Sequence, residues 1–267
     1  MAFTPLTLNG GLPGLNYVKR TMSKQIATMT NQRQVKREMS YYKEKIPQIS
    51  KASDLVKDPI LLKITLTSFG LQDDIGSKFY IQKILESNFL DEKSFVNKLS
   101  NKQYKNLSSA FGFGAYETPK SKISGFSDKV LQNYERKLFE ISVGEVDNNI
   151  RLALNAESEL KELASSNASD DAKWYSVLAS TPLRKIFEAR FNLGTQFGAI
   201  DIDRQVGILK KYVRSAFGEE SVSQFSDSEK IDKLVKSFMV RSSISETAAN
   251  GYSAAHVALS ILRNGQG

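Results

Sequence analysis

Residues 58–71 (DPILLKITLTSFGL) and 181–193 (TPLRKIFEARFNL) decide the fold. Each begins with an oxygen-bearing side chain beside a proline, Asp58 before Pro59 and Thr181 before Pro182. The side chain can accept from the exposed N–H groups of a first helical turn, and a proline in that turn sacrifices no hydrogen bond. Leu61, Lys63, Ile64, Phe69 and Leu71 correspond to Leu183, Lys185, Ile186, Phe191 and Leu193, each pair 122 positions apart. Before the closing leucine stands Gly70 in one stretch and Asn192 in the other, the two residue types that best tolerate a left-handed helix end.

The correspondence extends outward. Ile84-Leu85 matches Ile208-Leu209, and Leu107 and Phe111 match Leu234 and Phe238. Ser100 with Gln103 and Ser226 with Glu229 both have the spacing of a capping box. The drifting offset implies single-residue insertions, which loops accept. Residues 126–142 carry Val130, Tyr134, Leu138 and Ile141 at helical spacing, and 150–163 form another helical stretch. No segment alternates as a strand does. The expected fold is therefore all-α and internally duplicated: copy one at 15–113, a linker at 114–126, copy two at 127–240 and a tail at 241–267 with a short apolar helix. Residues 1–14 are expected to be a flexible lead, because 9–14 (NGGLPG) concentrate turn formers.

Composition removes whole classes of chemistry. The chain has no cysteine, which excludes disulfides, thiolate metal sites and cysteine nucleophiles. Its single histidine, His256, lies in an alanine-rich tail without a visible third group to support a triad. Asp201 and Asp203 lack the glycine and closing glutamate of a calcium loop and are expected to cap a helix, as are Asp73 and Asp74. The 111–114 run (FGFG) follows a helix where phosphate-binding glycine loops follow a strand, so it reads as a helix terminator. No catalytic, cofactor or metal residue is assigned, and the chain is expected not to be an enzyme. No apolar run approaches the roughly 18–20 residues of a membrane span, and the N-terminus lacks the regions of a secretory signal.

Charge is the remaining signal. Residues 1–45 hold eight basic side chains against Glu38 and Glu44, six of the net +8. Lys36, Arg37, Tyr41, Tyr42, Lys43 and Lys45 interleave cations with aromatics, but Tyr42 shares a helical face with Val35, Met39 and Ile46 and is expected in the core. Lys19, Arg20, Lys36 and Arg37 are the candidate partner-binding residues, facing an acidic protein or, as the alternative, nucleic acid. The stripe Leu15, Val18, Met22, Ile26 and Met29 and the tail residues Val257, Leu259, Ile261 and Leu262 are expected to pack within the chain or against a partner.

Residues 35–46, 53–56 and 61–71 resemble the first copy of a duplicated domain of unknown function found in alphaproteobacteria, number 1217 in its series. Residues 149–154, 182–193 and 201–205 resemble its second copy. Genes of that family often lie near flagellar genes. The resemblance thus implies an accessory, assembly or minor structural protein of the bacterial flagellum, acting through contacts with other flagellar or assembly proteins. It further implies residence in the cytoplasm or export to the flagellum without a cleaved signal peptide. The family supplies no catalytic residues to carry over.

Overall fold

The computed structural model describes residues 3–8, 10–99 and 101–249. Helix accounts for 76% of the structure and no strand occurs among the described residues, so the chain is all-α. The helices are α1 (Gly11–Thr30), α2 (Arg33–Lys45), α3 (Ala52–Lys57), α4 (Pro59–Ser68), α5 (Lys78–Leu85), α6 (Lys102–Phe111) and α7 (Phe126–Val146), followed by α8 (Asn148–Ser165), α9 (Asp170–Ala179), α10 (Thr181–Phe191), α11 (Ile202–Phe217) and α12 (Ser228–Ala249). They fall into two compact units. The first comprises Arg20–Val143 with the residues up to Leu6, and the second Thr7–Lys19 with the residues from Gly144 on.

In the first unit α2 packs on α4, α3 on α4 and α5, and α5 on α6. Their inward faces and the 3₁₀ turn after α2 supply Tyr42, Ile46, Leu55, Leu61, Ile64, Ile81, Ile84, Leu107 and Phe111, all fully buried. Tyr42 is therefore core, as its helical face implies, and its hydroxyl lies 3.3 Å from Thr65 Oγ1. In the second unit α8 packs on α10 and α12, and α9 on α10 and α11. Trp174, the chain's one tryptophan, is fully buried there, edge-on to Phe187 at 5.6 Å, with its indole N–H donating to the Glu220 carbonyl at 3.0 Å. Phe187 in turn meets Phe225 edge-on at 5.7 Å. Such perpendicular pairs are the arrangement the ring quadrupoles favour.

The two segments that announced the fold behave alike. Asp58 caps α4 by accepting from the N–H groups of Ile60 and Leu61 at 2.9 and 3.0 Å. The corresponding cap of α10 is Ser180 and not Thr181, which is the first helical residue. Asp58 (φ −84°, ψ 114°) and Ser180 (φ −85°, ψ 116°) share one extended conformation, the backbone an N-cap needs, and they stand 122 apart, in register with the leucines. Both helices end the same way. Gly70 (φ +70°) and Asn192 (φ +53°) take the left-handed conformation. Leu71 N–H then donates to the Leu66 carbonyl at 2.8 Å and Leu193 N–H to the Glu188 carbonyl at 2.9 Å, the six-to-one bond of a Schellman end.

Other expectations shift. The caps of α6 and α12 come from Asn101 and Asp227, whose side chains accept from Gln103 N and Glu229 N at 2.9 Å each. Neither is the serine capping box expected; Ser226 belongs to a 3₁₀ turn, and Ser100 lies outside the described residues. The lead is shorter than expected: Gly10 (φ +73°) makes the break and α1 starts at Gly11, carrying Pro13 in its first turn, where a proline is tolerated. Gly14 sits so close to the Thr7 carbonyl that a Cβ would lie 2.4 Å from it. The expected linker at 114–126 is folded onto the first unit, with Ser121 fully buried and its hydroxyl donating to the Ile49 carbonyl. The compact units divide at Val143/Gly144 and again at Leu6/Thr7 and Lys19/Arg20, and α12 runs to Ala249. Val257, Leu259, Ile261, Leu262 and His256 lie outside the described residues.

A Cβ at Gly70 would meet nothing within 4 Å, so any penalty for a side chain there is purely one of backbone conformation. Gly70→Ala is expected to cost about 1–2 kcal/mol of stability in urea denaturation. Asn192→Gly should change it by no more than about 0.5 kcal/mol, because it relieves a left-handed residue while loosening the unfolded chain.

Candidate functional site

The four nominated cations fall in both units. Lys19 belongs to the second unit, and Arg20, Lys36 and Arg37 belong to the first. Lys19 is spent within its own unit: its ammonium donates to Glu157 at 2.8 Å and Asp232 at 3.0 Å. Burial alone would lower its pKa, but the hydrogen bonds and charges of these two carboxylates outweigh that and hold it above the ordinary lysine value. The same pairing depresses Asp232. These partners are 138 and 213 residues away in sequence, beyond the reach of any local pattern. Arg20, Lys36 and Arg37 are exposed.

The buried charges are structural. Among the described residues three charged side chains are buried: Glu38, Glu140 and Lys173. Glu140 accepts from Arg136 and Lys137 on its own helix at 3.1 and 2.9 Å. Lys173 donates to the Ala164 carbonyl at 2.9 Å and to Ser223 Oγ at 2.8 Å. It thereby sets a cation on the unsatisfied carbonyls at the C-terminal end of α8, where the helix dipole is negative. Glu38 accepts from Lys63 at 2.7 Å and from Gln34 at 3.1 Å. Burial pushes the Glu38 carboxyl up, but the Lys63 and Gln34 hydrogen bonds and the nearby Lys63 and Arg37 charges more than reverse it, leaving it below the usual glutamate value.

The acidic pairs singled out in the sequence do local work. Asp201 caps α11, accepting from Asp203 N at 2.9 Å and Arg204 N at 3.3 Å, while Asp203 accepts from the Tyr175 hydroxyl. Asp73 and Asp74 differ from expectation: they lie in a 3₁₀ turn, and Asp74 accepts from the Tyr104 hydroxyl at 2.8 Å, with no α-helix start beside them. Gly112 ends α6 in the left-handed conformation, as a terminator should. No group of three or more His, Asp or Glu among the described residues is placed to hold a metal ion, and no described helix is long and apolar enough to cross a membrane.

Each unit carries an open groove. That of the second unit, about 800 Å³, is lined by Asn149, Lys185, Glu188, Ala189, Asn192, Leu193, Val240, Arg241, Ser242 and Ile244. Its edge on α12 exposes Val240 and Ile244, one turn apart, at 47% and 62%. That of the first unit, about 730 Å³, runs between α2 and α7 with the end of α1 beside it, and Lys36 is on its wall. Sequence periodicity could locate the faces but not the gap, since a groove exists only where two distant helices fail to close.

Residues 68–231 match the family model described as Protein of unknown function (DUF1217). The chain is similar in structure to a protein of Agrobacterium tumefaciens solved by X-ray crystallography, at 26% sequence identity and a TM-score of 0.73, over 88% of this chain and 94% of that one. No curated protein matches it.

The Glu38 pairing has a pH signature. A carboxyl whose pKa is depressed by folding contributes stability above its unfolded value and loses it as pH falls through the folded one. Urea midpoints taken between about pH 7 and about pH 3 should therefore fall, and Glu38→Gln should lose less over that interval than the parent chain. Lys19 has the opposite sign: its contribution is complete below the unfolded lysine value and disappears as pH rises through the raised one.

Proposed function

The chain belongs to the DUF1217 family, whose model covers well over half of it, and from that membership we propose that it is a non-enzymatic, internally duplicated interaction protein of an alphaproteobacterial flagellum. It acts through protein–protein contacts, in assembly or as a minor structural part, in the cytoplasm or at the flagellum after export without a cleaved signal. The flagellar link rests on the family resemblance of residues 35–71 and 149–205.

The observation that carries the non-catalytic reading is the use made of charge. All three buried charged side chains of the described structure are bound to lysines, arginines or backbone carbonyls that stabilise helices. A general acid or base needs a titratable group held in a cleft and open to substrate. Other charged side chains line open grooves, Lys36, Lys43 and Lys129 in one and Lys185 and Arg241 in the other, the form a docking surface takes. Duplication is supported by the matched ends of α4 and α10 and by equal burial at equivalent positions: Leu61 with Leu183, Ile64 with Ile186, and Leu107 with Leu234 are all buried to 1% exposure or less. Nucleic-acid binding is the second reading, favoured by Arg33, Lys36 and Arg37, which make no ion pair among the described residues.

A strain deleted for this gene is expected to swim poorly and to show missing or truncated flagella by electron microscopy, with full restoration by the intact gene and impaired restoration by Lys36→Glu with Arg37→Glu. Unchanged swimming and flagellar number in the deletion strain would remove the flagellar reading. Binding of arbitrary duplexes whose affinity falls steeply with salt would put the second reading in its place.

A further inference from the structure

The groove of the first unit has a chemistry of its own. Its floor is apolar, made by half-buried Met39 from α2 and buried Leu131 from α7. Lys36 and Lys43 line one wall, and Asp128 and Glu135 the other. Lys43 and Asp128 neutralise one another through a 2.6 Å ion pair that ties the walls together. Lys36 to Lys43 spans two helical turns, roughly 10 Å at 1.5 Å per residue.

The charge left over is lopsided. Arg33, Lys36 and Arg37 lie within one 100° arc of α2, and Lys129 stands on α7; all four are exposed and none has an ion-pair partner among the described residues. Against them is Glu135, whose carboxyl burial pushes up. The remaining cations of α2 are matched: Lys43 by Asp128 and Lys45 by Glu44. Of the unmatched ones, Lys36 and Lys129 line the groove, and Arg33 and Arg37 flank Lys36 along α2.

We propose that this groove receives an amphipathic helix with an acidic polar face, contributed by a partner protein. The partner's apolar stripe lies on Met39 and Leu131, and its carboxylates meet Lys36 and the flanking arginines, the helix-in-groove mode of recognition. A nucleic acid fits less well, because it would leave the apolar floor covered by nothing that gains from covering it. The proposal rests on the interaction reading above but not on its flagellar part.

The test is fluorescence anisotropy of labelled probes on the full chain. The probes are a synthetic peptide of about 18 residues with leucines at helical spacing and glutamates between, its scrambled version, the same peptide with lysine for glutamate, and a duplex of about 20 base pairs. The acidic amphipathic peptide is expected to bind about tenfold or more tighter than either control peptide, and Lys36→Glu with Arg33→Glu to weaken it about tenfold, while Lys185→Glu in the other groove leaves it unchanged. Lys36→Gln, which removes the charge without reversing it, should fall between. Circular dichroism melts of each variant separate lost binding from lost fold. Equal binding of the scrambled peptide, tighter binding of the duplex, indifference to the paired variant, or self-association of the chain abolished by that variant would each overturn the proposal. A deletion strain that swims normally while the peptide binds removes the flagellar reading and leaves the groove; a non-swimming strain whose protein ignores the peptide does the reverse.

Discussion

Every α-helix leaves four N–H groups at one end and four carbonyls at the other without an intrahelical partner, and a chain made of many short helices meets that constraint again and again. Here several helices meet it with side chains at one end, and several with left-handed residues at the other. Asp58, Asn101, Asp147, Ser169, Ser180 and Asp201 accept from first-turn amides. Gly112, Asn192 and Gly218 close the far ends of α6, α10 and α11, and Gly70, two residues past the last of α4, takes the same conformation. Lys173 does for α8 what no left-handed residue does, bringing a buried ammonium to its last carbonyls. Because these ends fix where each helix begins and stops, they also fix which apolar residues face inward, and the two cores follow.

The same constraint explains what the sequence made legible. Caps are local: the oxygen-bearing side chain, the proline and the glycine stand within a few residues of the groups they serve, so the all-α class and the ends of α4 and α10 were readable from two short stretches. The one-residue error at Thr181 has a physical cause. A threonine and a serine both offer a hydroxyl, and only the backbone conformation decides which of them caps; the serine holds the extended one. The turn-rich run before Leu15 misled for a related reason, since two successive glycines at positive φ, Gly10 and Gly11, are enough to break the chain and let the helix begin at once.

Features made by distant residues were not legible. The Lys19 contacts with Glu157 and Asp232 join three helices of one unit that no spacing rule connects. The division of the chain at Val143/Gly144 escaped because the Gly-, Pro- and Ser-bearing segment before Phe126 has the composition of a linker but buries Ser121 and Ile49 contacts instead. Of the candidate site, sequence supplied the excess of positive charge and one groove residue, Lys36. The carboxylates that cancel Lys19 and Lys43, and hence the identity of the cations left over, required the fold.

The placement of the one tryptophan gives the chain an optical asymmetry. Trp174 lies sealed in the second unit with its N–H bound to a backbone carbonyl, and the first unit contains no indole. Intrinsic emission excited at the indole band is therefore a private report on the second unit, whereas far-ultraviolet ellipticity sums over the helices of both. Coincidence of the two curves during denaturation is the mark of a single cooperative transition, and separation of the two is the mark of units that melt by themselves. The molecule carries that measurement in its own sequence, without a label.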